Sequence, residues 1–330
     1  MRAWLVAAYG EPASALALAD VDAPEPGPGQ ARVRVLAAPA QFPDVLLCRG
    51  EYQVRPDLPF TPGVEACGEV VALGPGVSSV AVGDRVVGTS VLPHGSFAEE
   101  ALMDAAVALP APPGMPDAEA AGFFIAYQTG WFGLHDRAHL QPGETLLVHA
   151  AAGGVGTAAV QLGAVAGARV IAVVGGGPGS DKAEVARRCG ADVVVDRRTE
   201  DVVAVVKEVP GGRGADVVFD PVGGAAYAQS TKCIAFEGRI VVVGFASGTM
   251  PQPPLGHALV KNYSILGLHW GLYAQLQPER VRAAHDELLR LVADGTITPV
   301  VGERVTFDGL PAGVQRLADG DTVGRVVWET

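Results

Sequence analysis

The strand-forming run at residues 145–149 leads directly into Ala150-Ala151-Ala152-Gly153-Gly154-Val155-Gly156 and then into a helical pattern. A glycine-rich turn between a strand and a helix points free N–H groups and the positive end of the helix dipole at one place, and that arrangement binds a pyrophosphate. Aligned on GxGxxG, the first position is Ala151, followed by Gly153 and Gly156, so the tight turn is made without its usual first glycine. Gly153 lets a pyrophosphate approach the backbone, Gly156 lets the helix pack closely on the strand, and Gly154 and Val155 complete the expected contacts. About 20 residues further on, the end of the next strand should carry an acid if a free ribose 2′-hydroxyl is to be bound. Gly175 stands there instead. The loop from Gly175 to Ser180 is permissive, Lys182 follows it, and Arg197 comes just after the third strand's end at Asp196. Two cations and no acid suit a 2′-phosphate, with Lys182 and Arg197 as its clamps, so the expected cofactor is NADP(H).

These residues need a particular scaffold. Short β-branched runs at 169–174, 192–195, 215–219 and 239–243 alternate with helical patterns at 155–166, 181–189, 199–208 and 225–235. Continuously apolar strands joined by helices predict a doubly wound parallel sheet covered on both faces. Before it, residues 31–36, 69–73 and 84–88 alternate with period two between breakers such as Pro26-Gly27-Pro28-Gly29, which predicts a small barrel. A helical stretch containing 120–134 joins the two. The tail carries a strand near 263–268, a helix from 278 to about 293 and a last strand near 324–328, and it is expected to return to the first domain.

Composition excludes several alternatives. A chain of 330 residues reads as two domains, and 49% hydrophobic with 18% charged residues excludes intrinsic disorder. The formal charge of -12 would repel nucleic acid or an anionic membrane surface. Apolar runs stop well short of the roughly 18 residues of a membrane span, and the beginning lacks a leader pattern, so a cytoplasmic protein is expected. Cys48, Cys67, Cys189 and Cys233 are scattered without a CxxC pair, which points to reduced thiols and no cysteine-rich zinc lobe.

Further motifs carry a resemblance over nearly the whole chain: Asp44 with Arg49-Gly50-Glu51-Tyr52, Pro62-Gly63-Val64-Glu65 with Gly68-Glu69-Val70, Gly83-Asp84-Arg85-Val86, Gly190-Ala191-Asp192, Asp220-Pro221-Val222-Gly223-Gly224 and Val243 to Gly248. Together with the glycine fingerprint they resemble the medium-chain dehydrogenases/reductases, specifically the zinc-free quinone oxidoreductase branch. The resemblance implies a GroES-like barrel over 1–122, an NADP-binding Rossmann domain over 123–264 and a return to the barrel over 265–330. It also implies a homodimer, for which the apolar stretch 263–268, left at a sheet edge, would be a natural pairing strand.

Zinc relatives have Cys at the position of Gln41 and His at that of Val64. Neither residue here can supply the thiolate or imidazole that holds a catalytic zinc, so no metal is expected. His135 and His139 share a helical i,i+4 spacing, but no third ligand accompanies them. NADPH's hydride could still reach an electron-poor acceptor, because a quinone or conjugated carbonyl needs less activation than a ketone. By the resemblance, Gln41 stands where the branch usually has Asn near the nicotinamide, where its amide could donate to the acceptor's oxygen. Tyr52 could donate a proton or a hydrogen bond to a developing oxyanion. Thr129 resembles a contact beside the nicotinamide ribose, and Arg325 a contact to cofactor phosphate. The turn Gly244-Phe245-Ala246-Ser247 follows a strand's carboxyl end, where ligands bind in open α/β sheets. The expected activity is reduction of a quinone or small conjugated carbonyl; enoyl-thioester reduction and non-catalytic NADPH binding are the alternatives.

Overall fold

The computed structural model describes residues 1–209 and 211–330. Its internal packing separates two units, Met1–Ile125 with Ala274–Thr330, and Ala126–Tyr273.

In the first unit, strands β1 (Arg2–Val6), β2 (Leu16–Asp20), β3 (Gln30–Ala40), β4 (Glu65–Leu73), β5 (Arg85–Thr89), β6 (Glu100–Asp104) and β7 (Leu109–Pro110) are joined by the last two strands of the chain, β14 (Val301–Val305) and β15 (Arg325–Glu329). The sheet runs β14-β15-β3-β4-β5-β7, with β6 also on β3, while β1 and β2 form their own ribbon. Alternation builds it: Ala31, Val33 and Val35 of β3 are buried and Arg34 between them is exposed. The inward side chains meet Phe60, Phe97, Met103 and Trp328 in one core. Each large apolar side chain buried there contributes about 1.5–3 kcal/mol. After β3 the chain turns at Gln41 into the helix Phe42–Arg49, an element beyond those the sequence pattern predicts. Proline in its first turn and Gly50 in the left-handed region (φ 69°) at its end bracket it.

The second unit is the parallel sheet: β8 (Thr145–Val148), β9 (Arg169–Val174), β10 (Val193–Asp196), β11 (Ala215–Asp220), β12 (Ile234–Val242) and β13 (Ser264–Gly267), in the order β10-β9-β8-β11-β12-β13. The central strands β8 and β11 are buried along their whole length, which is why they read as unbroken apolar runs. Chain direction around the sheet reverses between β8 and β11, so the carboxyl ends of those two strands flank the crevice where ligands bind in such sheets.

Two expectations shift. The helix anticipated through 120–134 is broken into Asp117–Ala121, Phe124–Trp131 and a π-helical turn, Phe132–Arg137. The expected domain limits were 122/123 and 264/265, whereas the packing changes at Ile125/Ala126 and Tyr273/Ala274. The second difference has a plain cause: β13 pairs with β12 as the sheet's last strand, so the chain leaves the unit only after completing it.

Candidate functional site

At the end of β8, His149 N donates to Phe219 O at 3.1 Å, and Ala151 N donates to Val173 O at 3.0 Å. Ala150 between them has φ 48°, a left-handed conformation that costs a residue with a Cβ about 1–3 kcal/mol. The turn's special position is therefore Ala150, one residue before the Ala151 that alignment suggested. The Ala150 carbonyl then accepts Gly153 N at 2.9 Å. A Cβ on Gly156 would lie 2.2 Å from that same oxygen, so only glycine lets the helix Gly154–Val165 come this close. On Gly153 a Cβ would meet nothing nearer than 3.4 Å within the protein. The helix begins there with no side-chain cap and no acidic residue in its first turn. Its leading N–H groups, those of Gly154 and Val155 among them, remain for an anion.

The neighbouring strand ends carry the residues expected around a 2′-phosphate. After β9, a Cβ on Gly175 would stand 3.3 and 3.4 Å from Nε and Nη2 of Arg197, so the guanidinium lies directly over the glycine. Asp196 fixes this place: Oδ1 accepts Gly176 N (3.0 Å) and Arg198 N (3.1 Å), and Oδ2 accepts the Thr199 hydroxyl (3.0 Å). Those donors, the Arg198 N–H first, hold the Asp196 carboxyl below its ordinary range, so it stays a carboxylate that anchors the loop. Ser180 caps the helix Asp181–Arg188 by accepting Ala183 N at 3.3 Å. Lys182, half-buried, is the second residue of that helix. Gly175 and Arg197 are thus brought into contact, and Ser180 acts as a cap.

Beyond β11 and β12 two loops interlock. Asp220 Oδ1 accepts Val222 N (2.8 Å) and Gly223 N (2.9 Å). Ala246 N and Ser247 N donate to Pro221 O and Val222 O, both at 3.0 Å. Phe245 packs so closely that a Cβ on Gly223 would sit 2.9 Å from its ring, and Gly244 leads into the turn. Thr129, on the helix Phe124–Trp131, is buried in the same unit.

In the barrel unit, four polar side chains are buried together. Gln41 is only 3% exposed, and its amide nitrogen donates to Glu65 Oε2. Glu65 Oε1 accepts Ile125 N at 2.6 Å, at the start of the helix Phe124–Trp131. Asp44 staples the turn by accepting Gln41 N (2.8 Å) and Gly63 N (2.9 Å). Arg325 of β15, also buried, lowers the pKa of both carboxyls by its charge, yet burial dominates and pushes each up to about 7. Gln41 gives one amide N–H to Glu65, and the charge of Arg325 acts on both Asp44 and Glu65. Tyr52 is half-buried, and burial together with the charge of Asp44 raises its pKa above the ordinary 10. It is a poor proton donor and a good neutral hydrogen-bond donor. The sequence assigns Glu65 no role, and no local signal marks it: residues 65–68 at the start of β4 are all buried, so no alternation singles out one face. Among the described residues, no three His, Cys, Asp or Glu side chains gather in a way that could hold a metal.

Comparison with known proteins agrees with this geometry. Residues 27–113 match the family model for the alcohol dehydrogenase GroES-like domain, and 154–290 match that for zinc-binding dehydrogenases. The chain is 39% identical over 291 residues to the quinone oxidoreductase-like protein 2 homolog of Nematostella vectensis, covering 88% of this chain and 78% of that one. Among solved structures, a mycobacterial protein complexed with NADPH superposes with a TM-score of 0.93 at 30% identity, each chain covered in full. Escherichia coli quinone oxidoreductase complexed with NADPH gives 0.92 at 29% identity, again over the full length of both. An NADP(H)-binding fold of a barrel and a doubly wound sheet, sharing more than a third of its residues with quinone oxidoreductase-like proteins, places the chain in the medium-chain dehydrogenase/reductase superfamily, in its zinc-free quinone oxidoreductase branch.

Proposed function

We propose that this NADPH-dependent oxidoreductase reduces a quinone or a small conjugated carbonyl without a metal. The observation that carries the cofactor side is the Arg197 guanidinium over Gly175, at a strand end without an acid. Bound NADPH supplies the hydride. The protein's own part is to hold and orient. The uncapped first turn of Gly154–Val165 receives the pyrophosphate, and Arg197 with Lys182 holds the 2′-phosphate. Thr129 and the turn Gly244–Ser247 border the nicotinamide end. The neutral Tyr52 phenol donates a hydrogen bond to the oxygen on which charge develops. Gln41 supports this indirectly, through Glu65.

Turnover measured with a panel of quinones, simple enones and enoyl-CoAs tests the reading. NADPH oxidation with quinones or enones supports it. Activity confined to enoyl-CoAs would move the assignment to enoyl-thioester reduction, and NADPH binding without turnover of any acceptor to a non-catalytic role.

We also propose a homodimer, built on the β13 edge of the parallel sheet. β13 pairs with β12 on one side only. Just before it in the chain the helix Leu255–Lys261 has no buried residue, with Leu255, Leu259 and Val260 73%, 77% and 79% exposed. An apolar edge of this kind favours pairing with its own copy. Light scattering at micromolar concentration gives the mass, and a monomer there would count against the pairing. Among the described residues no helix is long and apolar enough to cross a membrane, which is compatible with the cytoplasmic location proposed here.

A further inference from the structure

The left-handed Ala150 raises a physical question, because a strained alanine persists only where its surroundings over-determine it. After it, Ala151 N is tied to Val173 O. Before it comes His149, 2% exposed, whose backbone N–H is tied to Phe219 O. The His149 ring adds a tie of its own: Nε2 lies 2.9 Å from Oγ of Ser230, a fully buried residue on the helix Gly224–Cys233. Ser230 already donates its single hydroxyl proton to Ala226 O at 2.9 Å. Toward His149 it can therefore only accept, which places the imidazole proton on Nε2. Burial lowers the pKa of His149, against the opposing charge of Asp220, so the ring is neutral when it donates.

We propose that His149 is a positioning residue for the cofactor: its Nε2–H bond to Ser230, with the flanking backbone bonds, clamps Ala150 in the left-handed region and so fixes the turn that receives the pyrophosphate. The proposal rests on the reading of that turn as the NADPH site. Its distinctive consequence is that relieving the strain should remove the need for the clamp. Glycine takes φ 48° without penalty, so Ala150→Gly should rescue a clamp-less protein.

Fluorescence titration with NADPH tests this on the wild type, on His149→Leu, on Ser230→Ala, which removes one oxygen and spares the fold if the leucine variant does not, and on each with Ala150→Gly added. Loss of the clamp should weaken NADPH by about tenfold for His149→Leu and a few-fold for Ser230→Ala. His149→Gln, whose amide still donates, should stay near the wild type. Adding Ala150→Gly should bring the Kd back toward the wild-type value, while the melting temperature, measured in parallel, stays lowered. General damage to the fold would move both readouts together and would not respond to the glycine. Wild-type affinity in both His149→Leu and Ser230→Ala overturns the proposal, as does a failure of Ala150→Gly to restore binding. A wild-type protein that binds no NADPH would overturn the cofactor site itself and the clamp with it.

Discussion

Gly175→Asp should turn the cofactor preference around. The backbone there is not in the left-handed region, so an aspartate is accepted without backbone strain. Its Cβ would stand 3.3–3.4 Å from the Arg197 guanidinium, close enough to displace it, and its carboxylate would then pair with that cation. Two effects add against NADPH: a charge-assisted bond to the 2′-phosphate is lost, and a like charge is brought to it. Together they should cost about 1.5–3 kcal/mol, or about 10- to 150-fold in Kd. NADH gains a carboxylate acceptor for its 2′-hydroxyl, worth about 1 kcal/mol, or about fivefold. The ratio of NADPH to NADH affinity should therefore fall by about two orders of magnitude. Titrating both cofactors against the wild type and the variant measures it, and a variant that keeps the wild-type ratio would refute the role given to Gly175 and Arg197.

Glu65→Gln should flatten the pH dependence of stability. The Glu65 carboxyl is raised from 4.5 to about 7 by burial, so its contribution is fully present below about pH 4.5 and is lost as the pH rises through about 7. The wild type should lose about 3 kcal/mol from this group between those limits, and urea melts at pH 5 and pH 8 should differ by correspondingly less in the variant. Gly156→Ala forces a Cβ to within 2.2 Å of the Ala150 carbonyl and should cost about 1–3 kcal/mol, together with NADPH binding; a variant with unchanged melting would show that the helix is not held so tightly. Incubation with a chelator should leave turnover unchanged, and stoichiometric zinc in the purified protein, or activity restored only by zinc, would oppose the metal-free reading.

What could be read in the sequence is what spacing encodes. Gly153 and Gly156 announce a phosphate turn because the steric demand on each is local, and the absence of an acid at Gly175 needs no third dimension to be noticed. The alternation of β3 and the unbroken apolar runs of β8 and β11 likewise report which faces are covered. Contacts across long stretches of chain were not legible. Gln41 meets Glu65 across 24 residues, and Arg325 reaches the same carboxylates only because β15 folds back beside β3. A glutamine read alone is a donor in search of an acceptor; nothing in its neighbours says that the acceptor is a buried carboxylate. The shift from Ala151 to Ala150 is of another kind, since alignment to a motif places residues in order but carries no dihedral angles.

The barrel is closed by the end of the chain. β15 lies between β14 and β3, Trp328 is buried in the core against Phe307, and its indole donates to Ser96 O across 232 residues. Trp4 reaches Phe307 O across 303. During synthesis the first 125 residues must therefore wait, with the Ala37–Ala40 end of β3 lacking the partner that β15 supplies, while the continuous segment 126–273 is made. The cofactor-binding unit is the part able to form early and the barrel the part that finishes late. A nascent chain stalled before β15 should show a protease-resistant 126–273 core beside a sensitive amino-terminal segment, and NADPH, by stabilising the early unit, would act on the protein before the barrel is closed.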